Sequence, residues 1–216
     1  MTPSPVPGAS LPAGKVLVLA GPTASGKTAL ALSLARLLPC EIISADSRQV
    51  YRDMAVGTAQ PSVSELQAVP HHFVAELPPD GEFNAGRFGT LGRKAIGEIF
   101  GRGRVPLVVG GSGLYLRSLL RGLFEGPEAE REVREILEER LKTEGAERLL
   151  DELRRIDPAA AETLNPAYKR RIVRALEIYA LSGKTMTELH RGARIEIPFG
   201  SLQIALRWPR ALLYKR

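Results

Sequence analysis

The chain has 216 residues, 44% hydrophobic and 25% charged, enough for one sizeable domain and a smaller appendage around ordinary packed cores. No apolar run is long enough to cross a bilayer, and the single cysteine, Cys40, excludes an intrachain disulfide or a cysteine metal cluster and fits a reducing cytoplasm. A net charge of +6 says little about nucleic acid by itself, but it is unevenly placed: residues 125–165 hold 13 acidic and 7 basic side chains, residues 166–194 hold 2 and 7.

Residues 1–14 are rich in Pro, Ser and Gly without an apolar segment and read as a disordered leader, not a signal peptide. KVLVLA at 15–20 reads as a buried strand, and 27–38 has helical period up to Pro39. Between them, GPTASGKT fits G-x-x-x-x-G-K-[ST], the P-loop. Its backbone N–H groups and the helix N-terminus favour an anion. Lys27 would neutralise the outer phosphates and the Thr28 hydroxyl would ligate Mg²⁺.

EIISA at 41–45 reads as the next strand, with Cys40 before it as a small buried filler and Asp46 at its carboxyl end. Ligands of parallel sheets sit beyond the carboxyl ends of the strands, so Asp46 should face the same crevice as Lys27. There it would hold metal or act as a general base; a solvated turn aspartate is the plain alternative. Residues 52–82 read as loops with short elements. His71 and His72 lie in them without partners at metal spacing, which suits a structural or hydrogen-bonding role.

Residues 84–100 read as a helix with apolar positions at Phe88, Leu91, Ala95, Ile96 and Ile99. VPLVVGG is a buried strand running into a second glycine turn, GGSGLY, and then into the helical LYLRSLLRGL. The turn has none of the acid that a hydrolysing P-loop enzyme uses for Mg²⁺. Ser112 within it would reach either the phosphate or the reacting atom. Strand–helix alternation gives an α/β fold, a P-loop NTPase-like parallel sheet flanked by helices.

From Gly126 to Ser182 the strand signals stop, and helices are expected over 130–145, 146–157 and 167–183. At about 3.6 residues per turn, Arg170, Arg171 and Arg174 share an arc of about 100°, while Ile172, Leu176 and Tyr179 take the inward side. Such a stripe is usually a solvated face; with only Glu177 to match it, phosphate binding is equally open. SLQIALRW returns to the sheet, and PRALLYKR begins a helix with no cap, as in a chain cut short. The expected organisation is a leader (1–14), a P-loop core (15–124), an all-α insertion (125–194) and a return to the core (195–216).

Together GPTASGKT, EIISADSRQVY, VGTAQP, PHHF, VPLVVGGSGLYL, RRIVRALEIYALSGK and R-x-x-LYKR resemble the tRNA dimethylallyltransferases, the isopentenylpyrophosphate:tRNA transferases, over nearly the whole chain after Lys15. The resemblance implies that the P-loop holds the pyrophosphate of dimethylallyl diphosphate as a leaving group. The allyl chain would pass to the exocyclic amine of the adenosine 3′ of the anticodon in tRNA. Gly21, Pro22, Thr23, Ala24, Ser25, Gly26, Lys27 and Thr28 would hold the diphosphate with Mg²⁺. Arg216 matches a further family arginine for the pyrophosphate, and Arg210 is its nearby alternative. Asp46 would collect the proton, and Ser112, in place of the family's usual Thr, would bond near the bridging oxygen. Asp46, Ser47, Arg48, Gln49 and Ser112 would meet the tRNA base and loop. Arg170, Arg171 and Arg174, with Arg134 aligned less securely, would clasp its backbone. The implied protein is a cytoplasmic monomer with no membrane partner.

Relatives of this kind continue into further helices beyond LYKR. The competing readings are a P-loop small-molecule kinase binding ATP, an adenylate isopentenyltransferase with a free nucleotide acceptor, and a non-catalytic RNA-binding fragment. The missing acidic strand end argues against the first, and the long helical insertion with its arginines argues against the second.

Overall fold

The apolar run KVLVLA forms β1 (Lys15–Ala20), and Val16, Leu17, Val18 and Leu19 are all buried, as a strand covered on both faces requires. In this computed structural model the described residues are 14–123, 126–127, 130–192 and 196–215, so nearly all of the expected leader and Arg216 lie outside them. After β1 come α1 (Lys27–Ala35), β2 (Cys40–Ser44), α2 (Ala55–Thr58), α3 (Val63–Ala68), β3 (His71–His72), α4 (Ala85–Gly101), β4 (Val105–Gly110) and α5 (Gly113–Arg121). The helical stretch holds α6 (Arg131–Thr143), α7 (Ala146–Ile156), α8 (Pro158–Glu162), α9 (Lys169–Ser182) and α10 (Met186–Gly192). Strand β5 (Gly200–Ala205) and α11 (Arg210–Leu213) follow.

The five strands run parallel in the order β3-β2-β4-β1-β5. Leu19 faces Val109 across β1–β4, Ser44 also faces Val109 across β2–β4, and Ala20 faces Ala205 across β1–β5. This register brings the carboxyl ends of β1, β2, β4 and β5 to one edge, where Gly21, Ala45, Gly111 and Leu206 follow them.

Cys40 opens β2 rather than preceding it and is buried, and burial pushes its thiol pKa up. On α4, Phe88, Ala95, Ile96 and Ile99 are buried as expected, but Leu91 is 37% exposed. Gly89 and Gly92 instead let α5 approach: a Cβ on Gly89 would lie 2.2 Å from Ser118 Oγ. The close crossing substitutes small residues for the apolar stripe that the spacing suggests.

The chain divides into two compact units, one ending at Gly122 and resuming at Glu196, the other running between Leu123 and Ile195. The second unit buries Leu137, Leu149, Leu150, Leu153, Ile172, Val173 and Leu176 in one core. Tyr179, expected on that inward side, is 41% exposed, whereas Val173 and Ile178 are buried. Asp157 ties this unit's loops together, accepting from Ala160 N (3.1 Å), Thr187 N (2.9 Å) and Thr187 Oγ1 (2.6 Å). Burial works to raise its pKa, but these hydrogen bonds outweigh it and hold the carboxyl below its ordinary range.

The two histidines are not loop residues. They form β3, in which His71 pairs with Ile42 and His72 with Ile43 of β2. His72 Nε2 donates to Glu41 at 2.8 Å, while Arg102 binds the same carboxylate through Nε (2.9 Å) and Nη2 (2.8 Å). Glu41 is buried, and the Arg102 hydrogen bond, helped by His72, pulls its pKa down to about 2. This cluster staples the end of the sheet opposite the P-loop. A depressed carboxyl pKa stabilises the fold fully above the ordinary glutamate range and loses that stabilisation as pH falls toward 2. Glu41→Gln should therefore lower the melting temperature at pH 7, by the equivalent of roughly 2 kcal/mol for lost charge-assisted bonds. It should also flatten the acid limb of stability between pH 4.5 and pH 2, read by thermal melts across that range.

Candidate active site

The P-loop leaves β1 at Gly21 and bends back on itself, with Ser25 N–H bonding Pro22 O at 3.3 Å. Ala24 (φ 64°) and Gly26 (φ 90°) both take left-handed backbone, the alternation that turns successive N–H groups toward one concavity. Gly26 O accepts Leu30 N–H at 3.1 Å and starts α1. That helix has no side-chain cap and no acid in its first turn, so its N–H groups remain for an anion. Lys27 Nζ reaches back over the loop to Pro22 O at 2.7 Å. Burial lowers the Lys27 pKa, and the Asp46 carboxylate partly opposes that shift. The expected acid therefore lies within electrostatic reach of the P-loop lysine.

Asp46 follows β2 by two residues and accepts Arg48 N–H on Oδ1 at 2.9 Å, an Asx turn that fixes its side chain. Ser112 follows β4 by two residues. Its Oγ accepts Ser47 N–H at 3.1 Å and its own N–H donates to Ala45 O at 3.3 Å. The hydroxyl proton of Ser112 is left to donate beside Asp46. These neighbours meet because of two glycines. A Cβ on Gly110 would lie 2.2 Å from Ala45 O, and one on Gly111 would lie 2.8 Å from Gly21 O and 4.0 Å from Lys27 Nζ. The second glycine turn thus touches both the P-loop and the exit of β2.

Other expected contacts have structural partners. Gln49 accepts from Ser44 Oγ (2.8 Å) and donates to Thr58 O (3.2 Å) and Ala59 O (2.9 Å), so its amide organises the loop over 49–60. Arg48 is exposed next to Asp46, and Ser47 is half-buried. Arg210 Nε donates to Tyr214 Oη at 3.1 Å and stacks on its ring. Tyr115 is a residue the motif reading passed over. Burial, with Tyr51 and Asp46 adding to it, pushes its pKa up to about 12. Its ring stacks on Phe88 at 4.8 Å and meets Phe83 at 6.1 Å in a largely buried aromatic cluster. A lone aromatic in GLY carries no signal that separates it from core.

In the helical unit, Arg170 and Arg171 are exposed at the start of α9, with the Arg171 guanidinium 5.1 Å from the Tyr168 ring centroid. Arg174 does not extend a solvated stripe. It donates to Glu177 Oε2 at 2.8 Å and to Pro127 O at 2.9 Å, and Arg134 donates to the same Glu177 oxygen at 3.0 Å. Glu177 is fully buried and its other oxygen has no partner among the described residues. Two guanidiniums around one carboxylate keep one net positive charge and are held side by side. The single acid that the sequence placed in the stripe is the one that organises it.

Fold and site together define a P-loop protein whose cradle is flanked by an aspartate and a serine rather than by an acidic strand end. The chain belongs to the IPP transferase family, whose profile matches residues 49–216. It is 46% identical over 204 residues to tRNA dimethylallyltransferase 1 of Syntrophotalea carbinolica, covering 93% of this chain and 64% of that protein. It is 47% identical over 202 residues to the tRNA dimethylallyltransferase of Desulfotalea psychrophila, with the same shares covered. The crystal structure of the full-length tRNA isopentenylpyrophosphate transferase of Bacillus halodurans is similar at TM-score 0.60 and 37% identity, over 94% of this chain and 63% of that one. A eukaryotic dimethylallyltransferase acting on tRNA is similar at TM-score 0.78 and 32% identity, over 93% of this chain and 50% of that one. The chain thus spans just under two thirds of the length of these bacterial relatives.

Since the Gly110 neighbour is backbone, it cannot rotate away. Gly110→Ala should cost about 3 kcal/mol or more by overpacking, and differential scanning calorimetry should show the loss. Gly97→Ala, where no atom lies within 4 Å of the added carbon, should be neutral or slightly stabilising in the same assay.

Proposed function

We propose that the protein transfers a dimethylallyl group from dimethylallyl diphosphate to N6 of the adenosine 3′ of the anticodon in tRNA, releasing diphosphate. The observation that carries this reading is the convergence of Lys27, Asp46 and Ser112 at one sheet edge, with a glycine turn where a phosphate-hydrolysing enzyme would place an acid. Membership of the IPP transferase family supports it. No described helix is long and apolar enough to cross a membrane. Action as a monomer in the cytoplasm belongs to the same proposal.

In the reaction, N6 attacks C1 of the allyl group, the C1–O bond breaks, and its electron pair leaves with the diphosphate. An adenine amine is a weak nucleophile, so the chain must stabilise the leaving group and accept the N6 proton. The loop N–H groups and Lys27 meet the diphosphate charge, and the Ser112 hydroxyl proton is available for the bridging oxygen. Asp46 has Oδ1 engaged by Arg48 N–H, leaving Oδ2 to take the proton. Hydroxyl and phosphate oxygens suit Mg²⁺, which takes one or two protein oxygens and completes its shell with phosphate oxygens and water. The Thr28 hydroxyl is the hard oxygen donor that would hold it, and when bound it would offset charge on the departing diphosphate. The target base must leave the anticodon stack to reach this edge. Arg134, Arg170, Arg171 and Arg174 would hold the RNA backbone.

The test is transfer of labelled dimethylallyl to unmodified tRNA with Mg²⁺. Wild-type protein should label the adenosine 3′ of the anticodon, and Asp46→Ala should lose about 10²- to 10⁴-fold in rate while retaining pyrophosphate binding. A folded wild-type sample that neither transfers the label nor binds pyrophosphate would overturn the proposal. Arg171→Ala should weaken tRNA binding across sequences and reduce the slope of log K against log salt by about 1, measured by fluorescence anisotropy.

A further inference from the structure

The only tryptophan in the chain, Trp208, stands three residues beyond β5, and no motif includes it. Its segment runs along the P-loop. Leu206 N–H donates to Ala20 O at 2.8 Å, one step past the β1–β5 ladder. Leu206 O lies 3.1 Å from where a Cβ would stand on Gly21. Trp208 Nε1 then donates to Ser25 O at 3.0 Å, across 183 residues of sequence. Residues 206–208 therefore hold the loop where it leaves β1 and again just before α1.

The second grip bears on the anion cradle. In a trans peptide the C=O and the following N–H point in opposite directions. A hydrogen bond that fixes Ser25 O toward the indole therefore turns Gly26 N–H away from it. The Ser25–Gly26 peptide is the one in the loop most able to flip, because glycine takes either sign of φ and here sits at φ 90°. A flip would present a carbonyl to the phosphate where an N–H should be. Ser25 cannot resist this through its own side chain: the residue is 3% exposed, yet its Oγ has no hydrogen-bond partner among the described residues. Ser25 O also precedes the first helical acceptor, Gly26 O, so the ladder of α1 does not hold it.

We infer that Trp208 is a positioning residue for the anion cradle, its indole N–H locking the Ser25–Gly26 peptide so that Gly26 N–H serves the diphosphate. The inference rests on the reading of the P-loop as a diphosphate site. The experiment is calorimetric titration of the chain with inorganic pyrophosphate and Mg²⁺, comparing wild type, Trp208→Phe and Lys27→Ala. Phenylalanine keeps an aromatic ring at this 42% exposed position and removes the indole N–H donor. Trp208→Phe should weaken pyrophosphate binding about 3- to 10-fold, the worth of one hydrogen bond. It should raise KM for dimethylallyl diphosphate with kcat unchanged, and leave tRNA binding as it was. Purely structural packing would lower the melting temperature without pyrophosphate and leave pyrophosphate affinity unmoved. Unchanged affinity in Trp208→Phe, with tight binding in wild type and loss in Lys27→Ala, would overturn the inference alone. Absence of binding in wild type would overturn the diphosphate reading beneath it.

Discussion

The site depends on how closely the end of β4 approaches the end of β2. Gly110 leaves no room for even one carbon before the Ala45 carbonyl, and that contact sets Ser112 beside Ser47 and Asp46. Gly111 continues the approach toward Gly21 and Lys27. The chemistry is therefore a product of backbone packing. Parallel strands bring the groups to one edge, and two glycines without side chains close the remaining distance.

The two ends of the sheet solve opposite problems. At the far end, Glu41 is buried among Arg102, Arg104 and His72, with its charge matched and its oxygens occupied. At the P-loop end, Lys27 is partly desolvated and its ammonium rests on the Pro22 carbonyl, with Asp46 acting from further off. A charge that is fully matched contributes to stability, whereas a charge left partly unmatched is ready for a ligand. The helical unit shows an intermediate arrangement. Glu177 holds Arg134 and Arg174 together but carries one negative charge against two positive ones.

Much of this was legible in the sequence. The P-loop reads directly because its glycines and lysine stand at fixed spacing, and buried parallel strands read as unbroken apolar runs. Asp46 could be placed from strand topology alone. The illegible parts are those where long-range partners decide. Gln49 sits in a motif that suggests recognition, yet Ser44, Thr58 and Ala59 consume its amide. Arg174 looks like part of a solvated stripe until Pro127 and Glu177 meet it. His71 and His72 look like loop because two residues carry no period, and only pairing with β2 makes them a strand. Leu91 and Tyr179 mark where an idealised 3.6-residue wheel overstates the buried arc.

The hydrogen bond from Trp208 to Ser25 has a consequence for how the molecule is made. The phosphate loop is synthesised before the helical unit, but the strand beside it and the indole that grips it are synthesised after the whole of that unit. A nascent chain emerging from the ribosome can complete the helical unit, whose contacts are local, long before β5 exists to flank β1. Until then β1 has an unpaired edge, and the loop lacks its second anchor. The phosphate loop accordingly gains its second anchor only after the helical unit has been made, although its own sequence is made before that unit.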